Sequence, residues 1–242
     1  MTLDIHSTRE SAMRRGINVL VYGPPGAGKT YLSSTTGDLE HTLIISAEAG
    51  LLSLRMFDID NIEVTTLEKL TEVFKFLKTG DHKYTWIIID SLSEVASVCL
   101  ADEKQSTADG RAAYGNMAER IFAVLRRFRD LPYNVVMTAK IDRAKDADGV
   151  MLYGPDFPGN MLRAGVGYYP DILMALRTGK DENGDVVRWL QTVNDGTYDC
   201  KDRSGALDPA EPADLAHLNN KIKAALAAEP ATEEAPKEDD NG

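Results

Sequence analysis

The chain has 242 residues, 43% of them hydrophobic and 27% charged, with a formal net charge of -11. This size and balance fit one large α/β domain or one domain with an appendage, and the acidic excess excludes a protein that coats nucleic acid by bulk positive charge. No apolar run approaches the roughly 20 residues needed to span a bilayer. The first 16 residues lack the apolar segment of a signal peptide, so the expected compartment is the cytoplasm. Cys99 and Cys200 are the only cysteines, with no metal-ligand spacing around them, and are expected to be free and buried.

In chain order, residues 1–16 form a lead-in. "INVLVYG" (17–23) is a short β-branched run ending in glycine and predicts a buried strand, and "YLSSTT" opens a helix after a glycine-rich turn. "HTLIISAEAG" (41–50) predicts a second strand and "NIEVTT" a weaker one. Leu67, Leu70, Val73, Phe74 and Leu77 recur at helical spacing before Gly80. "YTWIIID" is the next strand. Residues 112–128 give a long amphipathic helix with Ala113, Met117, Ile121, Val124, Leu125 and Phe128 on one face. "NVVMTAK" (134–140) and "DILMALRTG" (171–179) are further strands, and "VVRWLQTV" (186–193) pairs with the latter around "KDENGD". Apolar strands alternating with helices predict a mostly parallel central sheet flanked by helices, with an antiparallel extension at one edge. A core over 17–207 is followed by a C-terminal helical segment over 208–228. Residues 229–242, with six acidic residues against one lysine, read as a disordered acidic tail.

The first strand runs directly into Gly23-Pro24-Pro25-Gly26-Ala27-Gly28-Lys29-Thr30, with Tyr31 following. This is G-x-x-x-x-G-K-[ST] between a strand and a helix, the phosphate-binding loop. Its glycines let backbone N–H groups surround phosphate oxygens. Lys29 reaches the β- and γ-phosphates of ATP, and the Thr30 hydroxyl ligates Mg²⁺. Asp90, ending "WIIID", either holds the metal with Thr30 or caps the next helix, a role Ser91 shares. The residue after Asp90 is Ser91 rather than the glutamate that AAA+-type ATPases usually place there. Glu48 stands just beyond a strand expected to neighbour that of the loop. Ligands of open α/β sheets bind at the carboxyl ends of the strands, so Glu48 is either a base facing the γ-phosphate or a solvated loop residue.

"IISAEAG" and "IIIDSLSEV", in the order loop, glutamate, Asp-Ser, resemble the RecA family, and residues 17–205 are similar to its core. The resemblance implies a RecA-like P-loop NTPase in which Glu48 activates water. More narrowly, the chain resembles small phage-encoded RecA-like ATPases of recombination and single-strand annealing, which would place it in a host cytoplasm. The same resemblance offers Thr138 and Lys140 as candidates for the polar strand-end residue that senses the γ-phosphate; otherwise they are a polar strand terminus. It also offers Lys201 and Arg203, two apart and on one side if extended, as a finger supplied to a neighbouring subunit's nucleotide; otherwise they form a solvated turn. It implies DNA-binding loops over 140–170 and 103–116. In the first of these, Lys140, Arg143, Lys145 and Arg163 would meet phosphates while Tyr153, Phe157, Tyr168 and Tyr169 stack on bases. The expected partners are single-stranded DNA, further copies of the chain in a ring or filament, and a single-strand-binding or other recombination protein. Competing readings are a nucleotide-gated regulator or scaffold, and a P-loop small-molecule kinase; no arginine-rich lid segment supports the kinase.

Overall fold

A computed structural model describes residues 4–13, 15–48, 50–145 and 148–228; the acidic stretch 229–242 lies outside them. The apolar runs form strands buried along their whole length: β1 (Asn18–Tyr22), β2 (Thr42–Ser46) and β4 (Trp86–Asp90) are covered at every residue. With β3 (Asp60–Glu63), the first six residues of β5 (Asn134–Lys145) and β7 (Ile172–Lys180), they form a parallel sheet in the order β7-β1-β5-β4-β2-β3. Continuous burial follows from helices covering both faces.

On one face lie α3 (Leu67–Thr79), α4 (Leu92–Ser106) and α5 (Gly110–Arg129), with the buried stripe of α5 falling on the residues the sequence pattern picks out. Thr66 caps α3 by accepting from Lys69 N–H, and Gly80 ends it. The other face holds α2 (Lys29–Leu32), a single turn at Leu51–Leu54, and α7 (Leu215–Ala227). A short α1 (Thr8–Met13) lies in the lead-in. At the β7 edge, β8 (Val186–Gln191) and β10 (Ala210–Pro212) add antiparallel strands, as expected for that edge. Both cysteines are free and buried, and burial pushes each thiol up to about 11.

Several expectations are corrected. β2 does not neighbour β1: β5 and β4 lie between them. All four strands are equally apolar, so composition does not distinguish their order. Residues 140–170 are not one long loop, because β5 continues to Lys145 and turns into β6 (Met151–Asp156), followed by α6 (Asn160–Gly165). The segment 103–116 is mostly helix, with only Thr107–Asp109 between α4 and α5. Before α7, residues 210–212 join the sheet through main-chain pairing with β8 rather than continuing a helix.

The turn into β1 depends on close backbone approach. A Cβ added at Gly16 would lie 2.2 Å from the carbonyl of Tyr133. Gly16→Ala is therefore expected to cost about 3 kcal/mol of stability, read as a lowered urea midpoint; an unchanged midpoint would contradict the contact.

Candidate functional site

Every parallel strand ends at the same edge of the sheet, and there the loop 23–30 opens a cavity of about 820 Å³. Gly28 adopts φ 104°, a left-handed conformation open to glycine, and hands the chain into α2. Lys29 Nζ donates to the carbonyls of Gly23 at 2.7 Å and Pro24 at 3.1 Å. Burial lowers the Lys29 pKa, and the Asp90 and Glu48 carboxylates partly offset it.

Asp90 is buried, and both of its carboxylate oxygens have donors. Thr30 Oγ1 donates to Oδ2 at 2.7 Å, and Thr138 Oγ1 donates to Oδ1 at 2.5 Å. Thr138 thus braces Asp90 from β5. Glu48 reaches the cavity although its strand is not beside β1. The pairing Ser46↔Asp90 and the bond from Ala47 N–H to Asp90 O at 2.8 Å bring the ends of β2 and β4 together. Ser91 caps α4 by accepting from Glu94 N–H, and its own hydroxyl donates to Glu48 Oε1 at 2.6 Å. Lys140 Nζ sits 2.8 Å from Glu94 Oε2 and 3.7 Å from Glu48 Oε1; the bond to Glu94, above all, raises its pKa.

A family model described as an AAA domain matches residues 15–204. The chain belongs to this family. Among solved structures, a KaiC-like protein from the hyperthermophilic archaeon Pyrococcus horikoshii OT3 is similar over 73% of this chain and 77% of its own, at 14% identity and a TM-score of 0.44. No curated protein matches.

For this AAA-domain P-loop ATPase the residues fit a magnesium–nucleotide complex. The Thr30 hydroxyl and an Asp90 carboxylate oxygen lie side by side at the cavity, the hard oxygen ligands magnesium takes, usually together with substrate phosphates. Among the described residues no group of three or more His, Cys, Asp or Glu side chains converges to hold a metal alone. When bound, the ion would neutralise phosphate charge.

The cavity brings together Gly23, Pro25, Gly26, Gly28, Lys29, Thr30, Tyr31, Glu48, Asp90 and Lys140. It does not gather the remaining sequence-based candidates. Lys201 and Arg203 lie at the start of β7, where β9 (Lys201–Asp202) pairs with Ile172 and Leu173, at the opposite end of the sheet. Lys201 Nζ is held by the carbonyls of Gly167 at 2.6 Å and Pro170 at 2.7 Å. Arg203 donates to Tyr168 O at 3.2 Å and lies 3.7 Å from Asp171.

The four cations expected to meet DNA are dispersed. Lys140 belongs to the nucleotide cavity, Arg163 is paired with Asp142, and Arg143 lies over the Tyr153 ring at 5.9 Å. Lys145 is exposed at the end of β5. Phe157 is buried in the core, Tyr169 stacks on Phe122 and Tyr153 on Tyr198, which leaves Tyr168 exposed. Their being conformationally engaged was invisible in the sequence, because the partners lie far along the chain.

Four cavity residues escaped the sequence reading: Ser53, Ile141, Asp156 and Arg188. Ser53 belongs to the single turn Leu51–Leu54, and Arg188 on β8 donates from Nε to Ala27 O at 2.9 Å. The only signal for Arg188 was a lone cation inside the apolar run "VVRWL".

Thr138→Val keeps the shape of the side chain but leaves one buried Asp90 oxygen without its donor. The expected loss is about 1–3 kcal/mol, measured by urea unfolding; a neutral result would mean that Asp90 does not depend on the bond.

Proposed function

We propose that this chain is a RecA-like ATPase acting as a homo-oligomer, ring or filament, on single-stranded DNA in homologous recombination or strand annealing, as in small phage-encoded systems. The observation that carries it is the convergence of Lys29, Thr30, Asp90 and Glu48 on one cavity, with the Glu48 carboxylate anchored by Ser91. Glu48 is the general base: it takes a proton from the attacking water while Ser91 fixes its orientation. Lys29, whose ammonium rests on the carbonyls of its own loop, turns to the phosphates when they enter. Lys140, between Glu48 and Glu94, holds the base's neighbourhood electrically balanced.

Lys201 and Arg203 lie too far along the sheet to serve their own loop, which supports a role toward a neighbour's nucleotide. Arg203 is the more exposed and carries the finger; Lys201, held by two carbonyls, positions the segment. The hairpin β5–β6, with Arg143 and Lys145 rising above the catalytic edge, is the DNA-facing element. The pairing of Arg163 with Asp142 and of Lys140 with Glu94 favours a second reading, a slowly hydrolysing nucleotide-gated regulator.

ATP hydrolysis measured with and without single-stranded DNA at low salt separates the two. Several-fold stimulation is expected, and a DNA-blind rate would favour the regulator. Lys29→Ala should abolish turnover, and Glu48→Gln should retain ATP binding while slowing hydrolysis on the order of 10²-fold or more. Retained turnover in either variant would sink its assignment. Mixing Arg203→Ala with Glu48→Gln should restore partial activity if the finger acts in trans; no rescue at any ratio refutes it.

A further inference from the structure

The polar lining of the cavity is lopsided. Lys29, Thr30, Glu48 and Asp90 form its phosphate- and metal-facing set, with Lys29 Nζ bonded to the carbonyls of Gly23 and Pro24 and Thr30 Oγ1 to Asp90. Arg188 enters the lining from a different element, the antiparallel edge of the sheet. It comes from β8, in register with Thr178 of β7, so the antiparallel hairpin carries it past the end of β1 and alongside the loop. Its Nε donates to the carbonyl of Ala27, a bond that spans 161 residues of sequence. The approach is close: a Cβ added at Gly28 would stand 3.3 Å from that Nε. Tyr31, half-exposed and edge-on to Phe57 with ring centroids 5.8 Å apart, lines the cavity on the same side of the loop.

Fixing Nε on the main chain orients the guanidinium plane, and among the described residues its two terminal nitrogens have no hydrogen-bond partner. Among the described residues no carboxylate forms an ion pair with Arg188. A planar cation lining a cavity, without an anion of its own among the described residues, suits the face of an aromatic ligand. A nucleotide has such a face at one end and its charge at the other. With the terminal phosphates taken by Lys29, Thr30 and Asp90, Arg188 is the lining cation left for the base.

We propose that Arg188, with Tyr31 beside it, forms the base subsite of the cavity, its guanidinium lying against a purine ring. The proposal rests on the ATPase reading above and extends it to a specificity-determining residue contributed by the antiparallel edge of the sheet. Arg188 touches the nucleoside and leaves the transferred phosphoryl group to Lys29, Thr30 and Glu48. The same side chain ties the phosphate loop to the β7–β8 hairpin, so a purine resting on it also contacts the edge of the sheet.

The test is equilibrium binding by calorimetry, in the presence of magnesium, of two probes: ATP and inorganic triphosphate, which has the phosphates and lacks the base. Arg188→Ala should weaken ATP about tenfold while leaving triphosphate affinity unchanged, and the retained triphosphate binding also shows that the variant is folded. Arg188→Lys, which keeps the charge and loses the plane, should remain closer to Arg188→Ala than to the parent chain. Equal weakening of both probes would assign Arg188 to the phosphates or to bracing the loop and overturn the base subsite. Unchanged ATP affinity, or full recovery in Arg188→Lys, would overturn it as well. Failure of the parent chain to bind either probe would instead bring down the ATPase reading itself.

Discussion

The Asp90 carboxylate joins three parts of the chain that the backbone alone does not bring into contact. One oxygen accepts a hydrogen bond from the hydroxyl of Thr30, at the start of α2; the other accepts one from that of Thr138, on β5. A buried carboxylate without such donors would be costly. Each hydroxyl therefore holds the charge in place, and the charge in turn fixes where the phosphate loop sits relative to β4 and β5. Because β4 ends at Asp90 and pairs there with Ser46 of β2, the same point sets the position of Glu48, through the bond from Ala47 and the hydroxyl of Ser91. The geometry of the site thus descends from one buried anion and the register of two parallel strands.

Above this edge stand two antiparallel hairpins, and their contact is aromatic. Tyr153 of β6 stacks on Tyr198 with ring centroids 4.5 Å apart, and the Arg177 guanidinium of β7 lies 3.7 Å from the Tyr198 centroid and 5.5 Å from that of Trp189 on β8. Tyr22, at the end of β1, donates its hydroxyl to the carbonyls of Asp199 at 3.0 Å and Tyr153 at 3.2 Å, and burial raises its pKa. A ladder of flat groups resists sliding because each contact depends on the offset of its neighbours. It links the strand that leads into the phosphate loop with the hairpin above Lys140 and with the hairpin that carries Arg188, so displacement of one hairpin loads the other two elements.

Short-range patterns made much of the fold legible. Period and length announced the buried strands, the amphipathic stripe of α5 and the antiparallel edge, since each reflects local geometry repeated over several residues. The phosphate loop was equally plain, because its glycines and lysine are adjacent in sequence. Strand order was not, and the expected neighbour of β1 proved to be two strands away. β5 was cut short at Lys140 because its outer half, "IDRAK", is polar, and its pairing with β6 became apparent only when the partner strand was seen. Long segments rich in glycine and proline read as loops, yet hairpin hydrogen bonds and aromatic stacking hold residues 140–145 and 151–156 as paired strands.

The sequence by itself determined the chemistry available: a phosphate loop, an aspartate at a strand end, a glutamate beyond another strand and an acidic overall charge. These depend on residue identity and short spacing, which the chain carries in one dimension. Only the tertiary structure decided which of them meet. Glu48 reaches the cavity through β4 rather than through a strand beside β1, and Lys140 joins it there. Arg163 is paired with an aspartate, Lys201 and Arg203 lie at the far end of the sheet, and Arg188 arrives from 161 residues away. The physical reason is that sheet order and side-chain contact are set by packing between distant segments, whose apolar surfaces are nearly interchangeable until the whole core has been assembled.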